Sequence, residues 1–477
     1  MEQSYHFPQY SGTEEETRVT LIEYERKSGK PSSTTIPLSS ELAQINTLMN
    51  RYCPALPGCK LDGKDYFREN GSRTYVDAGG VELATPEVKT PVDQAVYITA
   101  NALLYEKGLR DFTIEKSRFS KKSVAAIFQR RVIDQKGNTW GCHDNFSVRD
   151  AIDYNELVSD QNKPISRIWL GFLMSRVIIT GSMYIGSDRT CFSQKLSQPH
   201  ENFNSYGYNN SMLRVNNEHG QRLEIRCCDI NIQDWATVAR IGGAGLLLAA
   251  TQTSLVEELI NSPHYDIQWP RDDDWNNIPI KKNLQLTTSD HLKAHIATQR
   301  FTFQTILNGY EKATKKPIPP IYKQIGKSIL KFCDDLEAVA EEKTDIDTLV
   351  GRADWATKLY AIRRNMQKFD NRVLGDDLSK YYDMLYDQIK IMIKTDGSVS
   401  IDRGYGHKMS EKRSFYREKL SILETAIAKP PAKSRAAIRV NVAKSLGNQA
   451  TSCNWHGIKN KTNGKTISFH FNTTKAN

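Results

Sequence analysis

The segment from Asn70 to Glu87 carries the carboxylates Asp77, Glu82 and Glu87 in a short stretch that is interrupted by glycines. β-Branched residues flank the acids, which predicts a strand, a turn and a second strand. Carboxylates that are fixed close together repel one another unless a cation, a proton or a hydrogen-bond donor compensates them. The segment therefore indicates a divalent metal site. A solvated hairpin with ordinary surface charge is the alternative interpretation.

A second pair of carboxylates, Glu14 and Glu16, precedes a predicted strand over residues 17–24. Side chains alternate between the two faces of a strand, so these two acids are expected on the same face of a sheet. This spacing suits two ligands of one metal ion. Charged residues that lead into a solvent-exposed edge strand would produce the same pattern.

An imidazole, a carboxylate and an amide follow one another at His143, Asp144 and Asn145, directly after a predicted glycine turn. A neutral imidazole is a good ligand for divalent metals. The Asn145 amide could bind phosphate oxygens or a substrate amide. A histidine near a turn is also commonly structural. His143 is therefore a candidate metal ligand only because the other segments carry possible ligands as well.

Alternation in the segment 221–231 places Arg222, Glu224 and Arg226 on one face of a predicted strand. The planar fork of arginine suits phosphate oxygens, and a glutamate between two such groups fits a metal that bridges to a nucleotide. A cross-strand ladder of ion pairs is the alternative.

The surrounding elements are predicted from hydrophobic periodicity and turn residues. Strands and helices alternate over the first 150 residues, with a strand at 19–24 and a helix beginning near Ser39. A buried helix is expected at 236–251, and amphipathic patterns predict helices over 289–309, 321–343, 347–366 and 376–394. A final strand is expected over 465–472. We expect a catalytic domain at 1–400 and a small α/β domain at 401–477.

The composition is that of a globular protein, with 39% hydrophobic and 25% charged residues in 477. No apolar run reaches the roughly 18 residues of a membrane span, and the N-terminus lacks an apolar signal core, so a cytoplasmic protein is expected. The eight cysteines show no paired spacing typical of structural zinc. A net charge of +10 predicts attraction to an acidic partner. Nucleic acid is disfavoured, because the basic region 408–465 lacks interleaved aromatic residues.

Taken in order, these segments resemble the Pup ligase and depupylase family. Residues 12–16 are similar to its opening G-x-E-x-E, residues 70–77 to N-G-x-R-x-Y-x-D, residues 82–87 to E-Y-A-T-x-E and residues 141–145 to G-C-H-E-N. Arg222-Leu223 with Asp229 and Asn231 resembles R-L-H-V-x-x-G-D-x-N, and Asp354-Trp355 with Lys358 resembles D-W-x-x-K. The segment from Pro430 to Trp455 is similar to the family's small C-terminal domain.

The resemblance implies an α+β fold of the glutamine synthetase-like class, with a curved antiparallel sheet that cradles ATP and Mg²⁺, packed helices and the small C-terminal α/β domain. It implies that Asp77 is the catalytic aspartate, which positions or deprotonates the attacking amine in a ligase or assists water in a deamidase. The implied metal ligands are Glu14, Glu16, Glu82 and His143, and Glu224 is expected as a further ligand that has changed type. The implied nucleotide-binding residues are Arg73, Arg222 and Trp355, and the residue patterns above add Arg226 and Asn145 as expected nucleotide-binding residues.

Two departures from the family pattern refine the expected activity. The family's histidine after R-L is Glu224 here, and the E-x-R-x-x-D spacing from Glu224 to Asp229 resembles that of glutamate-cysteine ligases. A carboxylate in place of an imidazole favours Mg²⁺ over softer ions. The stretch 17–70 is too short for the extra loop of depupylases, which favours ligation over deamidation.

The expected activity is therefore ATP-dependent formation of an amide or isopeptide bond through an acyl phosphate. The expected carboxylate substrate is a small acidic protein modifier, an acidic peptide or an amino acid, and the acceptor is the amine of a lysine or an amino acid. A depupylase-like amidase is the main alternative, because it would use the same residues. A catalytically inactive binding protein would require the loss of acids that are mostly present.

Overall fold

The structure is a computed structural model of the 477-residue chain. It describes residues 6–25, 28–61, 65–77, 79–120, 122–134, 137–148, 163–186, 189–197, 212–216, 222–265, 273–281, 285–366, 377–394, 396–404, 406–408, 420–453, 455 and 457–469.

Strands and helices are mixed along the chain, which confirms the α+β class. The strands are β1 (Ser11–Tyr24), β2 (Pro31–Thr35), β3 (Ala55–Leu61), β4 (Asp65–Arg68), β5 (Arg73–Asp77), β6 (Gly80–Ala84), β7 (Ser123–Gln129), β8 (Cys142–Ser147), β9 (Tyr184–Ile185), β10 (Thr190–Cys191), β11 (Leu213–Asn216), β12 (Arg222–Ile225), β13 (Gln388–Ile393), β14 (Val399–Arg403), β15 (Ala450–Cys453), β16 (Gly457–Asn460) and β17 (Thr466–Ser468). The helices are α1 (Ser39–Leu48), α2 (Pro91–Ser120), α3 (Pro164–Ser175), α4 (Val177–Thr180), α5 (Asp234–Thr251), α6 (Leu255–Ile260), α7 (Asp290–Thr314), α8 (Pro320–Ala340), α9 (Asp354–Met366), α10 (Asp377–Tyr386), α11 (Leu420–Ala428) and α12 (Arg435–Leu446).

The chain forms two compact units. The sheet unit comprises residues 12–131, 387–404 and 416–477, and the helical unit comprises residues 1–11, 132–386 and 405–415. The sheet unit therefore draws on both ends of the chain. The division at residue 400 that the sequence suggests stays a prediction.

The sheet unit is built around the long strand β1, whose two halves pair with different neighbours. Its first half pairs with β6, and the sheet continues through β5 and β4 to β3. Its second half pairs with β2 and with β7, and β7 leads on to β13 and β14. Every one of these pairings is antiparallel, in agreement with the predicted antiparallel sheet.

The C-terminal residues of the sheet unit share a core with its N-terminal strands. Side chains from β3, β4, α12 and the small sheet β15–β17 form one apolar cluster, which includes Phe67, Val440 and Ile458. A buried ion pair supports this packing, because the Arg439 guanidinium donates to the Glu87 carboxylate at 2.7 and 3.0 Å. The Glu87 carboxylate is therefore engaged in a structural ion pair.

The helical unit contains an antiparallel sheet in the order β11, β12, β8 and a group of buried helices. Helix α5 confirms the predicted buried helix. Its glycines permit close packing of α8, since a Cβ at Gly242 would lie 2.5 Å from Ile325 and a Cβ at Gly245 2.7 Å from Tyr322. Within the described residues, none of the helices combines the length and apolarity needed to cross a bilayer.

The predicted helix at 376–394 is wrong in its second half. The structure has helix α10 only to Tyr386, followed by strand β13 at Gln388–Ile393. Isoleucines alternate with longer side chains over this strand, which lies between β7 and β14. The β-branched residues fit the interior of the sheet, and this long-range pairing overrides the local helical pattern. The predicted final strand is shorter, at Thr466–Ser468, and residues 470–472 lie outside the described residues.

Candidate active site

Strand β1 holds Glu14 and Glu16 on one face of the sheet unit. Its residues alternate between buried and half-buried positions from Ser11 onwards, and both glutamates occupy half-buried positions. Glu15, between them, points to the opposite face and forms a buried ion pair with Arg130 at 3.0 Å. The predicted shared face of Glu14 and Glu16 is therefore confirmed.

Strand β6 adds Glu82 to the same face. Glu82 lies directly opposite Glu16 on one side and opposite Tyr75 of β5 on the other. Directly opposed residues in an antiparallel pair share a face, with their Cβ atoms about 5 Å apart. The Tyr75 hydroxyl donates a hydrogen bond to the Glu82 carboxylate. We call the face that carries Glu14, Glu16, Glu82, Tyr75 and Asp77 the acidic face.

The electrostatics of the acidic face favour a bound cation. Burial raises the pKa of Glu82 to about 8; the hydrogen bond from Tyr75 acts in the opposite direction, and the charges of Glu14, Glu16 and Asp77 raise the pKa further. Burial and the same acidic surroundings raise the pKa of Tyr75 far above its usual value, so its hydroxyl stays a donor. The acids therefore lie close enough to repel one another, and a proton or a metal ion would relieve that repulsion.

Asp77 lies exposed at the end of β5, where the chain turns into β6. It is the register partner of Gly80, and Gly79 between them has a φ of +78°, which a residue with a side chain rarely adopts. The tight turn leaves the Asp77 carboxylate at the rim of the acidic face. This position is accessible to solvent.

Arg73 is placed on the acidic face, but its guanidinium is already engaged. It donates to both oxygens of Asp65, at 2.9 and 2.5 Å, and lies 4.3 Å from the centroid of the Tyr75 ring. Its predicted contact with phosphate stays a prediction. In the structure Arg73 and Asp65 brace Tyr75 from the side opposite Glu82.

A second group of predicted site residues comes together in the helical unit. His143 and Asn145 lie on one face of β8, and Asn145 is directly opposite Glu224 of β12. The Nδ1 atom of His143 lies 3.4 Å from the Glu224 carboxylate. An imidazole nitrogen and a carboxylate oxygen at this separation could bind a common metal ion.

Two arginines surround the same glutamate. Arg226 lies 3.5 Å and Arg222 3.7 Å from the Glu224 carboxylate, whose side chain is only 7% exposed. The predicted grouping of these three residues on and beside β12 is therefore present in the structure. Guanidinium groups in this position have the planar geometry that suits phosphate oxygens.

Asn145 is buried, and its Oδ1 atom has no hydrogen-bond partner among the described residues. A buried acceptor without a partner is costly, because it loses its bonds to water and gains none in return. The amide therefore fits a site that is completed by a ligand or a metal-bound water.

Other residues of the sequence motifs belong to the protein core. Trp355 is fully buried, donates its indole N–H to the Ile178 carbonyl at 2.7 Å and packs edge-to-face on Phe192. The Asp229 carboxylate accepts hydrogen bonds from the backbone of Ser182 and from neighbouring loop residues. These contacts are those of core residues, and a position for Trp355 beside a nucleotide stays a prediction.

The sequence interpretation missed Tyr75, Asp65 and Arg130 as partners of the predicted site. Tyr75 was detectable in principle, because it alternates with Arg73 and Asp77 on the predicted strand. Its contact with Glu82, and those of Asp65 and Arg130, depend on which strands pair and in what register, and the sequence does not specify either.

The chain is similar in sequence to a family of known proteins. Residues 4–459 match the family model described as Pup-ligase protein. The Pup–protein ligase of Acidimicrobium ferrooxidans is 22% identical over 388 residues, which are 78% of this chain and 78% of that protein. The Pup–protein ligase of Gordonia bronchialis is 22% identical over 416 residues, 82% of this chain and 83% of that protein.

Two solved structures have the same fold. A complex between the prokaryotic ubiquitin-like protein Pup and its ligase PafA matches with a TM-score of 0.71 and 17% identity, over 97% of this chain and 89% of that chain. PafA in complex with ADP matches with a TM-score of 0.63 and 18% identity, over 86% and 87%. The predicted glutamine synthetase-like α+β class is thereby confirmed. The chain belongs to the Pup-ligase protein family.

Proposed function

We propose that the protein is an ATP-dependent ligase that joins a carboxylate to an amine through an acyl phosphate, acting in the cytoplasm. Membership of the Pup-ligase family supports this activity. The observation that carries the proposal is the acidic face, where burial and neighbouring acids raise the pKa of Glu82 to about 8. A cluster of acids under this repulsion is costly to maintain, and a role in holding a metal ion explains it.

The residues present fit Mg²⁺. Glu14, Glu16 and Glu82 supply carboxylate oxygens, the ligands that this hard cation prefers. The family resemblance implies that His143 is also a metal ligand, and Glu224, which replaces the family's histidine, would supply a further carboxylate oxygen. Bound Mg²⁺ would neutralise phosphate oxygens and so favour phosphoryl transfer.

The reaction proceeds in two steps. A carboxylate oxygen of the substrate attacks the γ-phosphorus of ATP, and ADP leaves. The amine nitrogen then attacks the carbonyl carbon of the acyl phosphate, and inorganic phosphate leaves. Joining a carboxylate to an amine is uphill in water, and the first step supplies a good leaving group for the second.

Asp77 accepts the proton of the attacking amine. Its exposed position at the turn between β5 and β6 allows an amine to approach from solvent. Arg222 and Arg226 lie around Glu224 and offset negative charge on the phosphates, while the unsatisfied Oδ1 of Asn145 accepts a hydrogen bond from the substrate or a metal-bound water.

The substrate is proposed to be a small acidic protein modifier, and the acceptor a lysine side chain. The relatives are named as ligases that join Pup to protein, and one solved relative holds Pup itself. The net charge of +10 on this chain favours an acidic partner.

The test measures ADP formation with purified protein, ATP and Mg²⁺, with and without Pup, an acidic peptide or free glutamate, and with lysine as the amine. We expect ADP to form only when a carboxylate substrate is present. Hydrolysis of a modifier–lysine isopeptide bond without stoichiometric ADP formation would instead identify an amidase.

The variant Asp77→Asn separates catalysis from binding. It should reduce turnover by about 10²–10⁴-fold, the usual contribution of a positioned general base, while ATP binding is retained. Full turnover in this variant would refute the assigned role.

A further inference from the structure

Strand β1 carries a positive residue directly after the two glutamates of the acidic face. Arg18 continues the alternation of Glu14 and Glu16, so its side chain leaves the strand on the same side. It is half-buried, like both glutamates. A second guanidinium, besides that of Arg73, is thus built into the acidic face.

The adjacent strand leaves room for this guanidinium. A Cβ at Gly80 would lie 1.8 Å from Arg18 Nη1 and 2.4 Å from the carbonyl oxygen of Thr17, so the space that a side chain would fill is taken by Arg18. Arg18 Nη1 also donates to the Thr17 carbonyl at 3.2 Å. The absence of a side chain at Gly80 therefore fixes where the charge lies.

That position is beside the proposed catalytic aspartate. Gly80 is the register partner of Asp77, so Arg18 packs against the residue that faces Asp77 across the turn. In the proposed reaction, the amine held by Asp77 attacks the carbonyl carbon of the acyl phosphate, and the phosphoryl group is bonded to the oxygen that leaves this carbon. The phosphoryl group must then lie within reach of the same end of the acidic face.

We propose that Arg18 is a further substrate-binding residue, whose guanidinium binds the phosphoryl group that is transferred from ATP to the substrate carboxylate. The inference rests on the proposed function. The fork of arginine matches two phosphoryl oxygens, and a cation at this point offsets the repulsion between an incoming anion and Glu14, Glu16 and Asp77. The group bound is the γ-phosphoryl of ATP before transfer and the same phosphoryl on the acyl phosphate afterwards.

The experiment compares the affinities of ADP and of a non-hydrolysable ATP analogue, both with Mg²⁺, by calorimetry. Arg18→Gln should weaken binding of the triphosphate analogue by about tenfold or more, since hydrogen bonds to charged groups are usually of that strength. ADP lacks the terminal phosphoryl group, so its affinity should change by less than about twofold. Arg18→Lys should recover part of the loss, because it keeps the charge without the fork.

The matched control is Arg51→Gln, which removes an arginine of the sheet unit that is 56% exposed and pairs with Asp111 and Glu115. It should leave both affinities unchanged. If Arg18→Gln weakens both nucleotides equally, or neither, the inference is wrong and Arg18 only braces the strand through Thr17. If the wild-type protein binds neither nucleotide, the proposed function fails, and the inference falls with it.

Discussion

Replacing Glu82 by glutamine should make the metal-free protein more stable at alkaline pH. The pKa of Glu82 is about 8 in the folded protein, against 4.5 for an ordinary glutamate. A folded-state pKa that is raised means that the folded state holds a proton more tightly than the unfolded state. Its contribution to stability is complete below pH 4.5 and is lost as the pH rises towards 8.

The size of the effect follows from the two pKa values. A shift of 3.5 pKa units, from 4.5 to 8, corresponds to about 5 kcal/mol as an upper limit. Glu82→Gln carries no titratable carboxyl group, and its amide oxygen can still accept the Tyr75 hydrogen bond. We therefore expect the variant to exceed the wild type by about 3–4 kcal/mol near pH 8.5 and to match it near pH 4.5.

The assay is urea-induced unfolding in EDTA at several pH values between 4.5 and 8.5. The control is Glu424→Gln, which removes an exposed carboxylate of the same unit and should leave the pH dependence unchanged. Added Mg²⁺ should stabilise the wild type and not Glu82→Gln, because the variant lacks a proposed ligand. A variant that is less stable than the wild type at every pH would show that folding does not raise the pKa of Glu82, and would contradict the prediction.

Two further predictions concern buried groups elsewhere. Glu15→Gln should destabilise the protein by about 3–5 kcal/mol, because it leaves Arg130 charged and buried without its partner; a loss below about 1 kcal/mol in urea unfolding would contradict this. Burial lowers the pKa of His295 to about 4, so its contribution to stability is present above pH 6.5 and is lost as the pH falls towards 4, by up to about 3 kcal/mol. The free energy of unfolding of His295→Gln should therefore fall less steeply than that of the wild type between pH 6.5 and 4. An equally steep fall in the variant would exclude His295 as the cause of the acid destabilisation.

The sequence was most informative where local periodicity decides the structure. Alternation alone places Glu14 and Glu16 on one face, and the same rule holds for Arg222 and Glu224. The buried helix α5 was likewise predictable from its apolar run with closely spaced glycines.

The remainder depends on contacts between segments that are distant in the chain. The pairing of Arg73 with Asp65 follows from the register of β4 against β5. Residues Gln388–Ile393 form a strand because they pair with β7 on one side and β14 on the other. The helical pattern in the sequence does not reveal this pairing. Packing likewise decides the burial of Trp355, because its short motif fits a core position as well as a nucleotide site.

The central claim is that Glu14 belongs to a magnesium site that holds the nucleotide. The most direct measurement is a calorimetric titration of the wild type and Glu14→Gln with a non-hydrolysable ATP analogue, in Mg²⁺ and in EDTA. We predict that binding to the wild type requires Mg²⁺ and that Glu14→Gln weakens binding in Mg²⁺ about tenfold or more, to near the level in EDTA. Equal affinity of the two proteins in Mg²⁺ would contradict the claim.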